Sequence, residues 1–240
     1  MIRILTTSFN GENWIKNCID SLKAQTLEDW RCYITDDLST DNSVSKIKDL
    51  IEGDDRFTLV ENTKKLYQVG NYENLIRSGD FGFDDEDICI EVDGDDWLAH
   101  KTVLADTKKV YETTKCWMTY GYPMYTTRQR HPSCYPGAKN LRSTAAFSLS
   151  HLRSWKAFLW RGIKHEDLLV DGNYPLAGGD SYFMIPMAEM SGDDRVAFID
   201  DVNYIYNFHN PLNDCKMDVK LQHGLADLAR LRTPYQLLNP

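Results

Sequence analysis

The chain has 240 residues, 42% of them hydrophobic, and a formal net charge of −9. That length and apolar fraction suffice for a sizeable core and exclude global disorder. The acidic balance argues against diffuse binding to nucleic acid or anionic membrane, and no apolar run approaches the roughly 20 residues needed to span a bilayer.

The first segment, Met1-Ile2-Arg3-Ile4-Leu5-Thr6-Thr7, is too short and polar for a signal peptide and reads as a strand. Further strands are expected at Arg31–Thr35, Phe57–Val60 and Ile88–Val92. Between them, Trp14, Ile15, Cys18, Ile19 and Leu22 recur at helical spacing, as do Val44, Ile47, Leu50 and Ile51 after a Ser43 cap. Tyr72, Leu75 and Ile76 mark a shorter third helix. Strand-helix alternation of this kind predicts an α/β fold with a parallel sheet and right-handed crossovers. Ligands on such sheets sit at the carboxyl ends of the strands.

The second half is less regular. Helices are expected at Lys101–Thr113, Leu152–Leu159, Asp180–Met190 and Lys216–Leu231. Strands are expected at Cys116–Tyr120, Ala145–Leu149, Val196–Ile199 and Val202–Tyr206, and a loop over residues 121–142. With no linker or repeat, residues 1–240 read as one domain, with a regular half (1–100) and a less regular half (101–240). The six cysteines (Cys18, Cys32, Cys89, Cys116, Cys134, Cys215) show no paired spacing. They imply reduced thiols in a cytoplasmic protein and no zinc site.

Asp93, Gly94, Asp95 and Asp96 follow directly on the apolar run Ile88–Val92. Carboxylates crowded at the end of a buried strand repel one another and resist desolvation, which a cation relieves. Their hard oxygen ligands favour Mg²⁺ or Mn²⁺. An EF-hand loop is excluded because its sixth position, counted from Asp93, is Leu98 rather than glycine. Trp97-Leu98-Ala99 is no obvious returning strand, so a hairpin is not expected either. From Lys115 to His165 lie nine Lys or Arg and no acid, interleaved with Trp and Tyr. That stretch reads either as a basic face balancing acidic neighbours or as a surface for something anionic.

In this order, four segments resemble the inverting family 2 glycosyltransferases of the GT-A fold, a Rossmann-like, mostly parallel sheet flanked by helices. They are Ile4–Asn10 with the helix that follows, Ile34–Asp41, Asp93–Asp96 and Gly179-Asp180. The resemblance covers about residues 2–210 and implies a nucleotide-sugar-binding half (1–100) and an acceptor-binding half (101–240). It implies nucleotide binding by Thr7, Phe9, Asp37 and Asp93, with Asp37 accepting from a uracil N–H and Phe9 stacking on the base. It implies a Mn²⁺ or Mg²⁺ site at Asp95, supported by Asp96 and joined by His209, and a general base at Asp180. Relatives often carry arginine two residues before that late histidine, where this chain has Asn207.

The expected reaction moves a sugar from a UDP-sugar or other nucleotide-sugar to an acceptor hydroxyl on a surface glycan or glycolipid. The basic aromatic stretch offers an alternative acceptor, a hydroxymethylated base in DNA, with Arg128, Arg130, Lys139 and Trp160 as acceptor-binding candidates. A non-catalytic nucleotide-sugar binding module is the alternative of another class. The intact acidic set argues against it.

Overall fold

The computed structural model describes every residue except 131, 132, 134, 145–148 and 240, and only the backbone at 214 and 215. In chain order the elements are β1 (Ile2–Ser8), α1 (Ile15–Lys23), β2 (Trp30–Asp36), α2 (Ser43–Ile51), β3 (Phe57–Glu61), α3 (Tyr67–Arg77) and β4 (Ile88–Glu91). There follow β5 (Trp97–Leu98), α4 (Val103–Thr114), β6 (Met118–Tyr125), β7 (Ser154–Lys156) and α5 (Ala157–Gly162). The chain closes with α6 (Asp180–Ser191), β8 (Val196–Tyr206), α7 (Asp214–Met217) and α8 (Val219–Arg230).

The eight strands of the described residues form one sheet in the order β3-β2-β1-β4-β7-β6-β8-β5. The β3-β2-β1-β4 half is parallel throughout, so the ends of β1, β2 and β4 lie on one rim. β7 runs against both β4 and β6, and β5 runs against β8. Two apolar clusters cover the two faces. One gathers Ile15, Cys18, Ile19 and Leu22 of α1 with residues of α2 and α4. The other gathers Val69, Tyr72, Leu75 and Ile76 of α3 with residues of α5 and α6. In α6 every residue from Ser181 to Ser191 is buried, which explains why it shows apolar character all round rather than a stripe.

Several expectations are corrected by tertiary pairing. Leu152–Leu159 is not one helix, because Ser154 and Trp155 pair with β4 on one side and β6 on the other. Residues 121–125 continue β6 rather than opening a loop. A register shift between Gly121 and Pro123 accommodates the proline, which has no N–H to give the ladder. Asp200 and Asp201 are exposed on an unbroken β8 instead of separating two strands. Trp97-Leu98 does return, but onto β8 rather than as a local hairpin. The closing helix is split at Asp218, whose carboxylate accepts from the Leu221 N–H and starts α8 afresh. The third helix is longer than its apolar triad suggested. The strand expected at Ala145–Leu149 falls almost wholly outside the described residues.

Candidate active site

The carboxyl ends of β1, β2 and β4 open into a cleft of about 850 Å³ whose far wall is built from α6, α7 and α8. Thr7, Phe9, Asp37, Asp93, Asp95, Asp96 and Asp180 all line it.

Glycine brings the acidic turn close to β1. The Gly94 N–H donates to the Thr7 carbonyl at 3.0 Å. A β-carbon at Gly94 would lie 3.0 Å from both that oxygen and the Ser8 Cβ, so only glycine fits without movement. Within the turn, Asp95 accepts from Asn210 Nδ2 at 2.7 Å and Asp96 Oδ1 accepts from the Asn207 N–H at 2.7 Å. That N–H is backbone and does not depend on the departure from arginine; the Asn207 side chain instead accepts from the His209 N–H at 3.1 Å. Asp96 Oδ2 is buried with no hydrogen-bond partner among the described residues. Burial and the neighbouring Asp93 push the Asp95 carboxyl up to about 6. Burial, Asp95 and Asp93 likewise raise Asp96 well above the usual carboxylate range. Crowded, partly unsatisfied carboxylates of this kind fit a divalent cation.

Asp37 is almost fully buried and orders the loop into α3. It accepts from Asn62 Nδ2 and the Leu66 N–H at 2.8 Å and from the Tyr67 N–H at 3.0 Å. A carboxylate offers about four acceptor positions, so little capacity is left for a base. Phe9 is 42% exposed, and the Lys65 ammonium sits 2.9 Å from its ring centroid. A base stacking on that face of Phe9 must displace Lys65, whereas the opposite face does not involve it.

Asp180 begins α6 after Gly178, which has φ +63°, and Gly179, whose lack of a side chain admits Gln68 and Val69 of α3. Asp180 Oδ2 accepts from Arg153 Nη2 at 2.7 Å. Arg153 also donates to Glu91 Oε1 at 3.1 Å and to the Leu149 carbonyl at 2.8 Å. His151 stacks on Tyr204 at 4.5 Å and places Nε2 3.5 Å from Asp93. Burial and the Arg153 charge push the His151 imidazole down, but Asp93 and Glu91 outweigh them and leave it raised. Burial pushes Glu91 up, and Arg153 and His151 more than reverse this. Glu91, Asp93 and His151 bring ligand atoms within 4.8 Å of one another. Arg153, 3.1 Å from Glu91 and 3.0 Å from His151 Nε2, already supplies positive charge there.

Glu91, His151 and Arg153 were not singled out from the sequence. Glu91 had a signal, as the one charged residue inside Ile88–Val92. Arg153 had none, because its partners lie 62 and 27 residues away.

Other expected site residues fall elsewhere. His209 is exposed and does not line the cleft, whereas its neighbour Asn210 does and reaches Asp95. Trp160 is buried in the α3–α6 core and donates to Glu73 at 2.7 Å, so it presents nothing to an acceptor. Arg128, Arg130 and Lys139 are exposed and outside the cleft, with Arg130 3.9 Å from Asp200. Four of the nine bases of that stretch are held close to acids elsewhere in the chain. Arg142 pairs with Glu189, Arg153 with Glu91 and Asp180, Lys156 with Glu86, and Arg161 with Asp85. These four bases fit the reading as a basic face balancing acidic neighbours.

The fold, with its cleft at the strand ends, is the GT-A fold. The sequence matches the profile described as glycosyl transferase family 2 over residues 3–134, more than half of its length, and the chain belongs to that family. It is 28% identical over 112 residues to the glycosyltransferase GlyA of Streptococcus pneumoniae serotype 4, covering 46% of this chain and 15% of that protein. In fold it resembles S. aureus TarS 1–349 in complex with UDP-GlcNAc (TM-score 0.67, 14% identity, 87% of this chain and 59% of that one). It also resembles the mannosyltransferase PcManGT from Pyrobaculum calidifontis in complex with GDP-Man and Mn²⁺ (TM-score 0.60, 17% identity, 85% of this chain and 56% of that one). The chain thus spans well under two thirds of each of these relatives. Among the described residues no helix is long and apolar enough to cross a membrane.

Proposed function

We propose that the protein is a metal-dependent, inverting glycosyltransferase that moves a sugar from a UDP-sugar to a hydroxyl of a glycan or glycolipid acceptor. One observation carries this reading: Asp37, Asp95 and Asp180, far apart in sequence, line a single cleft. Thr7, Phe9, Asp37 and Asp93 take the nucleoside end. Asp95 holds a Mn²⁺ or Mg²⁺ ion, with Asp93 beside it and Asp96 supporting from below. Such an ion, when bound, stabilises the charge that grows on a departing diphosphate. The PcManGT complex with Mn²⁺ and the TarS complex with UDP-GlcNAc support both assignments by likeness of fold.

Asp180 accepts the proton of the acceptor hydroxyl, which is held too tightly to leave unaided at neutral pH. Attack opposite the leaving group inverts the anomeric centre. Leu176, Leu212, Met217 and Val219 are exposed apolar side chains on the wall of the same cleft. They favour an acceptor with an apolar portion, as in a glycolipid.

The test is turnover by Asp180→Asn with the UDP-sugar that most raises the melting temperature in the presence of Mn²⁺. A general base contributes about 10²–10⁴-fold, so the variant should lose turnover by that factor while keeping the donor-induced melting shift. Undiminished turnover by Asp180→Asn assigns the base elsewhere.

A further inference from the structure

We propose that Arg153 is a positioning residue that fixes the Asp180 carboxylate so that its second oxygen, Oδ1, faces the acceptor hydroxyl. Glu91 holds Arg153 for this task. The inference rests on Asp180 being the base.

An aspartate in the first turn of a helix has other places to go, because it can turn back onto the unpaired N–H groups of its own helix. Here Oδ2 is taken instead by Arg153 Nη2 at 2.7 Å. Oδ1 has no hydrogen bond among the described residues, and the side chain is 23% exposed toward the cleft.

Arg153 cannot easily swing away. Its side chain is only 6% exposed, its Nε donates to the Leu149 carbonyl, and Nη1 donates to Glu91 Oε1. Glu91 is fully buried and is itself fixed by Gln68 Nε2 at 2.7 Å. The series Gln68, Glu91, Arg153, Asp180 therefore ties α3 and β4 to the start of α6. Gly179 lets Gln68 come near that helix start, since a β-carbon there would lie 2.9 Å from Gln68 Oε1. Burying an arginine against one carboxylate and then aiming it at a second makes little sense for stability alone. Removing both charges at once often costs a fold little. It makes sense where one oxygen must be occupied and the other left open, as a base is oriented by a third group in other transferases of protons.

In the step served, the acceptor O–H proton passes to Asp180 Oδ1 and the acceptor oxygen bonds to the anomeric carbon. The bond from that carbon to the phosphate oxygen breaks, and its electron pair leaves with the nucleoside diphosphate.

The experiment measures UDP release and donor KM for Arg153→Lys, Asp180→Asn and the double variant. The donor is the UDP-sugar that most raises the melting temperature with Mn²⁺. Misplacing a reacting group by about 1 Å costs about 100-fold. Arg153→Lys should therefore lower kcat by about 10- to 100-fold while donor KM and the UDP-induced melting shift stay within about twofold. In the Asp180→Asn background the same substitution should change the residual rate by less than about twofold, because a group acting through Asp180 has nothing left to position. Glu91→Gln gives the same signature and replaces Arg153→Lys should that variant not fold. Losses that multiply in the double variant, or a loss carried by donor KM, overturn the assignment of Arg153 while leaving Asp180 as the base. Full turnover by Asp180→Asn assigns the base elsewhere and overturns this inference with it, whereas no release from any UDP-sugar by the unaltered protein overturns the function reading itself.

Discussion

Gly94 decides where the acidic turn sits, since it alone lets the backbone after β4 lie against Thr7 and Ser8. Gly94→Ala introduces a methyl 3.0 Å from backbone and side-chain atoms of β1 that cannot retreat. Overpacking of this kind costs about 1–3 kcal/mol. A urea titration should show a loss of that size, and Mn²⁺-dependent UDP binding should weaken with it. Unchanged binding would mean that the turn tolerates displacement from β1. Asp95, Asp96 and Asp37 divide the work by their surroundings. Asp37 gives three of about four acceptor positions to Asn62, Leu66 and Tyr67, whereas Asp95 is pushed up to about 6 and Asp96 keeps a buried oxygen without a partner among the described residues. The acidic tetrad was legible in the sequence because carboxylates crowded after an apolar run are costly wherever they fold. That Asn210 rather than His209 reaches it was not legible, because the turn after β8 sets which of two adjacent side chains points inward.

Among the elements, β1 and β4 are tied beneath the site by Arg3 and Asp87. Arg3 Nε donates to Asp87 Oδ2 at 2.7 Å, and Asp87 also accepts from the Asp84 N–H and faces the Met1 ammonium. Burial pushes the Asp87 carboxyl up, but these three donors outweigh it and hold it below the usual carboxylate range. A depressed folded value means the unfolded chain binds the proton more readily. The stabilisation is then fully present above the unfolded value of about 3.9 and fades as pH falls through the folded one. Asp87→Asn should destabilise by about 2–3 kcal/mol at pH 7, somewhat below the range for breaking a fully buried pair. The gap between variant and parent in urea titrations should shrink as pH is lowered toward 3. A gap independent of pH would assign the effect to packing. Elements of the first half were legible because each is a complete local pattern. α1 buries Ile15, Cys18, Ile19 and Leu22 at helical spacing, and β1, β2 and β4 each carry a short apolar stretch, Ile4-Leu5, Cys32 to Ile34 and Ile88 to Ile90. β7 was not, because three residues flanked by β4 and β6 take their conformation from partners distant in sequence.

At the scale of the molecule, the parallel half of the sheet supplies the donor rim, and α6, α7 and α8 supply the opposite wall. The fold class and the convergence of Thr7, Asp37 and Asp95 followed from strand-helix alternation, which sends every β-to-α turn to the same edge, whereas Asp180, which opens α6 after an irregular stretch, was pointed to by the family resemblance. The use of the basic stretch did not follow, since a sequence shows charge without its partners. Arg142, Arg153, Lys156 and Arg161 find theirs only after folding. The measurement that tests the account most directly is the melting temperature with UDP and Mn²⁺, with UDP and chelator, and with Asp95→Asn in place of the parent chain. A ligand present at about 100 times its Kd adds about 2.7 kcal/mol, or about 5–10 °C for a chain of this length. That shift should appear with UDP and Mn²⁺ together, and fall to a small fraction with chelator or in Asp95→Asn. An equal shift in all three would contradict a cation held by the acidic turn against the donor diphosphate.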